Sequence, residues 1–517
     1  MSLSELRAIT PLLFLGAGIV LLMLQVSFVR GHRAALLTTL VTIAAAGYGC
    51  FVAVAGLPPG SGAVAVTELL AVDRTALFVC LLLLLAAAAI AVLGFSYLKP
   101  RCQRVRGAAS YPEEFYILLL LTMLGACTLT FACHFASFFL SLELVSLALY
   151  PMLGFAVIGE RSPRRDQLHS LEAGIKYLLL SALSTALGLF GIAVIYAACG
   201  ALDFAGVAAA LGNGEGLSLL LVGLTLLLAA IAFKLSLVPF HIWTPDVYEG
   251  APTPVTALIA TVGKGAVVAL LLRLFSQLEL LVIPILTTLL ATMAVASMLV
   301  GNLLALQQSN VKRLLAYSSI AHLGYLIVAF LIGKSAFGTE AVIYYLVAYV
   351  VTTLGAFAVV GLIADDAFRK AQGGADSPPK TTLSRQPLPR DPFDREYYSG
   401  LFWRSPWLAC CLAAMLLSLA GIPLTIGFIG KFYIFAAGVQ GQLWLLLAAV
   451  IIGSALGLYY YLGLLLTMAQ RDNGETEAVT GEVQVAKSGH AVLVLLTAAL
   501  LGFGVFPQVL INWINAL

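Results

Sequence analysis

The sequence predicts an all-α polytopic membrane protein with about fourteen transmembrane helices, including two inverted five-helix repeats that each contain a broken helix. Three observations predict it. Of the 517 residues, 61% are hydrophobic and only 10% charged, against about half and about a quarter in soluble domains. Apolar runs longer than roughly 18 residues recur from end to end, each able to cross a hydrocarbon core about 30 Å thick. Two of these runs are interrupted by proline and glycine, and each carries a single lysine, as related transporter half-domains would.

Taken in order, the run 9–29 is too long for a signal h-region, lacks a strongly basic lead and has no small-residue cleavage pattern behind it, so it reads as a retained span. With 34–55 and 75–97 it makes an N-terminal three-helix segment, 1–110. Runs 114–131, 134–157, 171–198, 216–240 and 251–276 form a first five-helix unit, 111–276. Runs 280–305, 311–333, 340–364, 405–436 and 441–468 form a second, 277–470. A loop and the last span, 488–514, complete 471–517. The longest break, 365–404, holds Asp365, Asp366, Gly373, Gly374 and several prolines and reads as a solvent loop inside the membrane domain. An odd repeat length places the two units in opposite orientations.

Lysine and arginine set the orientation. If the N-terminus is outside, the even-numbered loops and the N-terminal tail carry only Arg7, Arg74 and Lys334. Lys176, Lys234, Lys264, Arg273 and Lys431 fall inside spans, and every other basic residue lies in odd-numbered loops. Both termini are therefore expected on the periplasmic side. The net charge of +3 is dispersed over loops and points to no nucleic acid. Eight cysteines are scattered without a CxxC pair, which argues against iron–sulfur, haem-attachment and disulfide readings.

An ionisable side chain at the bilayer centre costs about 2.5–3.5 kcal/mol on insertion scales, so each is a functional candidate. Glu143, in FFLSLELVSLALYP, has no charged neighbour within a turn and needs a partner from another helix. Lys234 lies five residues before Pro239, which removes a helical hydrogen bond and should break the seventh span beside the lysine. Lys431 follows Gly421, Pro423, Gly427 and Gly430 in the twelfth. Such breaks line midplane ion sites in transporters.

Lys264 and His241 lie between these lysines in chain order and are candidate relays, although a histidine at a helix end also satisfies carbonyls. Lys176 follows Glu172 by four residues and is either a relay on the cytoplasmic side or a surface pair. Ser318, His322 and Tyr325 make a polar stripe that either holds water or bonds neighbouring helices. Lys312 and Arg313 are mainly orientation charges, with Lys312 a possible end of the path. Arg273, near a span end, is expected to snorkel to the headgroups.

Soluble-enzyme motifs fail. Gly333-Lys334-Ser335 imitates the end of a phosphate-binding loop, but Val328 stands where a glycine is required. Gly212 and Gly214 begin a dinucleotide pattern that fails at Leu217. There is no HExxH or flavin signature, so neither a metal nor a redox cofactor is expected in this chain, and its energy must come from outside.

FYILLLLTMLGACTLTFACHFASFFLSLELVSLALY, GIKYLLLSALST, FKLSLVPFHIWTPDVYEGAPTPVTALIA, NVKRLLAYSSIAHLGYL and LSLAGIPLTIGFIGKFY resemble the subunit N family of bacterial proton-pumping NADH:quinone oxidoreductase, respiratory complex I. The likeness spans nearly the whole chain, and TPDVYEGAPTPV favours this family over subunits L and M. It implies fourteen helices with two inverted five-helix repeats, and a proton path through Glu143, Lys176, Lys234, Lys264, Lys312 and Lys431. It also implies membrane-arm neighbours in the bacterial inner membrane, with NADH, FMN, iron–sulfur clusters and quinone bound by other subunits of a translocase whose redox steps lie outside this chain. The loop 371–395 is longer and richer in proline than the family pattern. Two alternatives remain. A cation/proton antiporter module is disfavoured by the lack of an intramembrane Asp beside Lys234 or Lys431. A membrane-arm scaffold that does not pump would not need such costly charges.

Overall fold

The computed structural model describes residues 3–57, 63–101, 111–157, 164–214, 216–332, 336–373, 391–470 and 483–517. Gly333-Lys334-Ser335 and most of the proline-rich loop, 374–390, lie outside the described residues. Among the described residues, thirteen helices are long and apolar enough to cross a membrane. A further segment divides into Pro406–Ala420 and Ile426–Gln440, and counting it as one span completes the fourteen read from the sequence.

The spans, numbered in chain order, are Thr10–Phe28, His32–Gly56, Arg74–Arg101, Glu113–Phe131, Phe135–Leu153, Gln167–Cys199, Leu217–Leu235, Thr253–Leu278, Pro284–Ala305, Val311–Leu331, Gly338–Lys370, the divided twelfth, Trp444–Ala469 and Lys487–Val505. Spans eight, ten and eleven form the interior, and spans one, six and fourteen form the rim. Rim side chains such as Phe28, Leu179, Phe190 and Leu495 are exposed, as a lipid-facing surface requires because no water there rewards polar groups. Span three leans across the bundle to touch spans eight and eleven, joining the N-terminal segment to both five-helix units.

In each unit the fourth span is the broken one. Span seven stops at Leu235 because Ser236 turns left-handed (φ 62°), with Leu237 N–H donating to Ala232 O. Span twelve stops at Ala420 in the same way, with Gly421 at φ 86° and Ile422 N–H donating to Leu417 O. This is the αL ending that closes helices, and Pro239 and Pro423 soon after forbid continuation. Helix resumes at Trp243–Gly250 and at Ile426–Gln440. In the second case the Thr425 hydroxyl accepts from Phe428 N–H as an N-cap.

The structure differs from the sequence reading in three places. Helix continues from Ala336 to Gly373, so Asp365 and Asp366 are not loop residues; both are buried, Asp365 held by Arg101 at 2.6 Å and Asp366 by Lys370 at 2.8 Å and by the Gln484 N–H at 3.1 Å. Residues 391–404 include two short helical turns, Arg395–Tyr398 and Leu401–Arg404, and Val311 N–H donates to Phe393 O at 2.7 Å, fixing this segment against span ten. Between spans six and seven, Phe204–Asn213 forms a helix capped by Asp203, too short to register as a span.

Candidate functional site

Lys234 occupies the last turn of the first half of span seven, beside the carbonyls that end that helix. Its Nζ donates to Ser146 Oγ and Ser181 Oγ, both at 2.7 Å, and Tyr150 OH donates to Ser181 at 3.2 Å. Glu143 is one turn from Ser146 on span five and accepts from Thr185 Oγ1 at 3.2 Å. Among the described residues Glu143 and Lys234 form no ion pair; the Ser146 and Ser181 hydroxyls hold the ammonium, and the Thr185 hydroxyl donates to the carboxylate. Pro239 and His241 both lie in the break, and the His241 Nδ1 is buried and unbonded.

Span eight has a π-helical turn, Ile259–Gly263, immediately before Lys264. The wider turn leaves Ala260 O to accept from Tyr349 OH at 2.9 Å. Lys264, 1% exposed, donates to Ser319 Oγ at 2.7 Å, and Ser319 is 2.6 Å from Tyr349 OH. One turn after Ser319 on span ten is His322, whose Nδ1 meets Tyr345 OH at 2.7 Å and whose Nε2 meets Tyr461 OH at 3.3 Å. Ser318 bonds Tyr461, and Asn302 links Tyr325 and Tyr460. The Ser318/His322/Tyr325 stripe therefore bonds neighbouring helices.

Lys431 reaches back across the break of span twelve and donates to Leu419 O (2.9 Å) and Ala420 O (3.0 Å). A helix C-terminus is the negative end of the macrodipole and leaves carbonyls unpaired, so an ammonium is favoured there. The Lys431 Nζ also lies 5.2 Å from the Tyr325 ring. Lys234 thus lies in the last turn of the first half-helix of its unit, whereas Lys431 belongs to the second half-helix and brings only its ammonium to the end of the first. In chain order these groups run Glu143, the serine-held Lys234, Lys264, the His322 hydroxyl cluster and Lys431.

The remaining candidates gather at the arginine- and lysine-rich end. Lys176 pairs with Glu172 (2.6 Å) and Asp246 (2.7 Å), and Arg313 pairs with Asp246 and Glu249, each at 2.7 Å. Lys312, 1% exposed, donates to Glu249 O and Ala251 O at 2.7 and 2.6 Å, so its ammonium closes the C-terminal end of Trp243–Gly250. Arg273 does not snorkel. It is buried and pairs with Asp73 at 2.6 Å, because the acid preceding span three meets it inside the protein.

Sequence reasoning missed Ser146, Ser181, Ser319, Tyr345, Tyr349 and Tyr461, since single hydroxyls on apolar helices look like ordinary packing residues. The four-residue spacing of Tyr345 and Tyr349, on one helix face, was the available signal. Asp246 and Glu249 were legible only as part of a motif.

The family described as NADH:quinone oxidoreductase/Mrp antiporter, TM, matches residues 132–457. Proteins named NADH-quinone oxidoreductase subunit N from Methylococcus capsulatus and Ectopseudomonas mendocina are each 42% identical to this chain, over 99% of it and over 95% and 96% of their own lengths. A chain in the structure of respiratory complex I from Thermus thermophilus with bound aureothin superposes with a TM-score of 0.76 at 32% identity, covering 98% of this chain and 99% of that one. A chain of the Mrp complex from Dietzia sp. superposes with a TM-score of 0.79 at 18% identity, covering 100% of this chain and 97% of its own, which is a likeness of fold. By its sequence along nearly its whole length and by the shape it folds into, the chain belongs to the NADH-quinone oxidoreductase subunit N family of antiporter-like membrane proteins.

Proposed function

We propose that this chain carries protons across the bacterial inner membrane as a membrane-arm subunit of NADH:quinone oxidoreductase, a translocase whose redox steps occur elsewhere. The observation that carries the reading is the succession of ionisable groups inside the spans, Glu143, Lys234, Lys264 and His322, each bonded to a hydroxyl, and Lys431, bonded to the carbonyls that end a half-helix. Desolvation makes a buried lysine release its proton readily, and a nearby carboxylate makes it keep it. Changing lysine acidity by about 3 pH units is worth about 4 kcal/mol, comparable to moving one charge against somewhat more than 100 mV at about 2.3 kcal/mol per 100 mV. Small movements of Glu143 toward or away from Lys234 are the natural switch.

On this reading Lys176 and Lys312 act at the cytoplasmic end, and His241 and His322 assist transfer. Residues 111–276 and 277–470 are the two repeats, flanked by 1–110 and 471–517. NADH, FMN, iron–sulfur clusters and quinone are bound by other subunits, and the rim faces lipid and membrane-arm neighbours. The grouping of Arg101, Lys312, Arg313, Arg369 and Arg404 at one end of the spans, opposite Arg7 and Arg74, supports both termini lying on the periplasmic side.

The Mrp-like fold keeps one alternative open, a cation/proton antiporter. NADH-driven proton uptake by inverted membrane vesicles carrying Glu143→Ala or Lys234→Ala, with assembly verified, separates the readings. The proposal expects assembled complexes with reduced uptake and no sodium requirement. Normal uptake in both variants contradicts it, and a sodium requirement favours the antiporter.

A further inference from the structure

The hydrogen bonds of Lys264 run into a dead end. Lys264 Nζ donates to Ser319 Oγ, and Tyr349 OH donates to the carbonyl of Ala260. The Ser319 hydroxyl must therefore be the donor in its 2.6 Å contact with Tyr349. Each proton in this chain points toward a carbonyl oxygen, which has no proton to pass on. A proton reaching or leaving Lys264 needs another contact, and the ammonium has two further N–H groups.

The side chain placed there is Tyr248, whose ring centre is 5.5 Å from Lys264 Nζ. Tyr248 is 0% exposed, yet its hydroxyl makes no hydrogen bond. A buried hydroxyl without a partner carries an uncompensated desolvation penalty, so its retention asks for an explanation. Ser319 lies near it without meeting hydrogen-bond geometry and has one lone pair left once Lys264 is bonded.

Tyr248 also belongs to the half-helix that reaches Lys234. Five residues earlier, Trp243 Nε1 donates to Phe233 O at 3.0 Å, and its ring lies 5.1 Å from that of Tyr177, which flanks Lys234. Ser146, Tyr177, Lys234, Trp243 and Gly263 line a cavity of about 20 Å³, large enough for one water. This cavity joins Lys234 to the π-turn that precedes Lys264.

We propose that Tyr248 is the relay residue between Lys234 and Lys264, its unbonded hydroxyl turning between the Lys234 cavity and the Lys264–Ser319 cluster. The step rests on the proton-carrying reading. The Tyr248 oxygen forms an O–H bond with a proton that left the Lys234 ammonium through the cavity water. Its original O–H bond breaks, and that proton forms an N–H bond on the neutral amine of Lys264. No electrons are exchanged, the phenol ends as it began, and one proton has advanced.

Tyr248→Phe tests this cleanly, because removing a hydroxyl that bonds nothing leaves every hydrogen bond in place and is neutral or stabilising for the fold. In inverted vesicles with assembled complex, NADH-driven proton uptake should fall on the order of tenfold, less than the hundredfold or more a positioned proton-transfer group can supply, because other steps share control. Tyr248→His, which restores a proton-carrying group, should recover uptake, and Tyr248→Leu should not. Lys234→Ala, measured beside them, separates two failures. Normal uptake in Tyr248→Phe with loss in Lys234→Ala overturns the role of Tyr248 alone, whereas normal uptake in both overturns the proton-carrying reading as well. Loss of assembly in Tyr248→Phe overturns the proposal by showing that the hydroxyl is structural.

Discussion

Gly421 and Lys431 depend on each other. Gly421 sits at φ 86°, and a Cβ there would come within 2.9 Å of the Lys431 side chain. Gly421→Ala therefore meets a left-handed penalty of about 1–2 kcal/mol and displaces the ammonium from the Leu419 and Ala420 carbonyls. The expected outcome is an assembled complex with slowed NADH-driven proton uptake; full uptake would show that the position of Lys431 does not matter. Lys312→Met removes two charge-assisted hydrogen bonds from the end of Trp243–Gly250, each worth about 1.5–3 kcal/mol, and should lower the thermal stability of the purified complex. At this scale the lysines and Glu143 were legible because charge in an apolar run stands out. Their serine and tyrosine partners were not, because which hydroxyl meets which lysine depends on how spans five, six, ten and eleven pack.

The half-helix Trp243–Gly250 is held from several sides. Asp246 bridges Lys176 and Arg313, Glu249 takes a second bond from Arg313, Lys312 closes the C-terminal end, and Trp243 ties the N-terminal end to Phe233. The ion pairs are partly exposed and individually modest, but they meet on one element that touches both Lys234 and Lys264. Asp246→Asn should loosen it, seen as faster hydrogen exchange at amides 243–250 together with slower proton uptake; unchanged exchange would mean the ion pairs do not restrain this element. Pro239 and Pro423 made both breaks legible in the sequence. The exact stopping residues were not, since Ser236 takes a left-handed conformation that nothing in its identity demands.

Across the whole molecule, one buried and one half-buried ion pair pin span three at opposite ends. Arg101 binds Asp365 of span eleven at 2.6 Å, beneath the rings of Tyr97 and Phe368, and Asp73 binds Arg273 of span eight. Asp365→Ala strands the Arg101 charge and should cost about 3–5 kcal/mol of stability, while replacing both partners with apolar residues should restore most of it. Thermal unfolding of the two variants decides this, and equal stability would refute it. The number and order of spans followed from hydropathy alone, yet hydropathy placed Asp365 in a loop and Arg273 among headgroups, because burial of a charge is decided by a partner far away in sequence. If protons cross the middle of the membrane by way of Lys264, that residue is indispensable to pumping. The most direct test is NADH-driven acidification of inverted vesicles carrying Lys264→Met in verified, assembled complex: acidification and coupled NADH oxidation should both fall, and acidification at the unmodified rate would show that protons do not pass through Lys264.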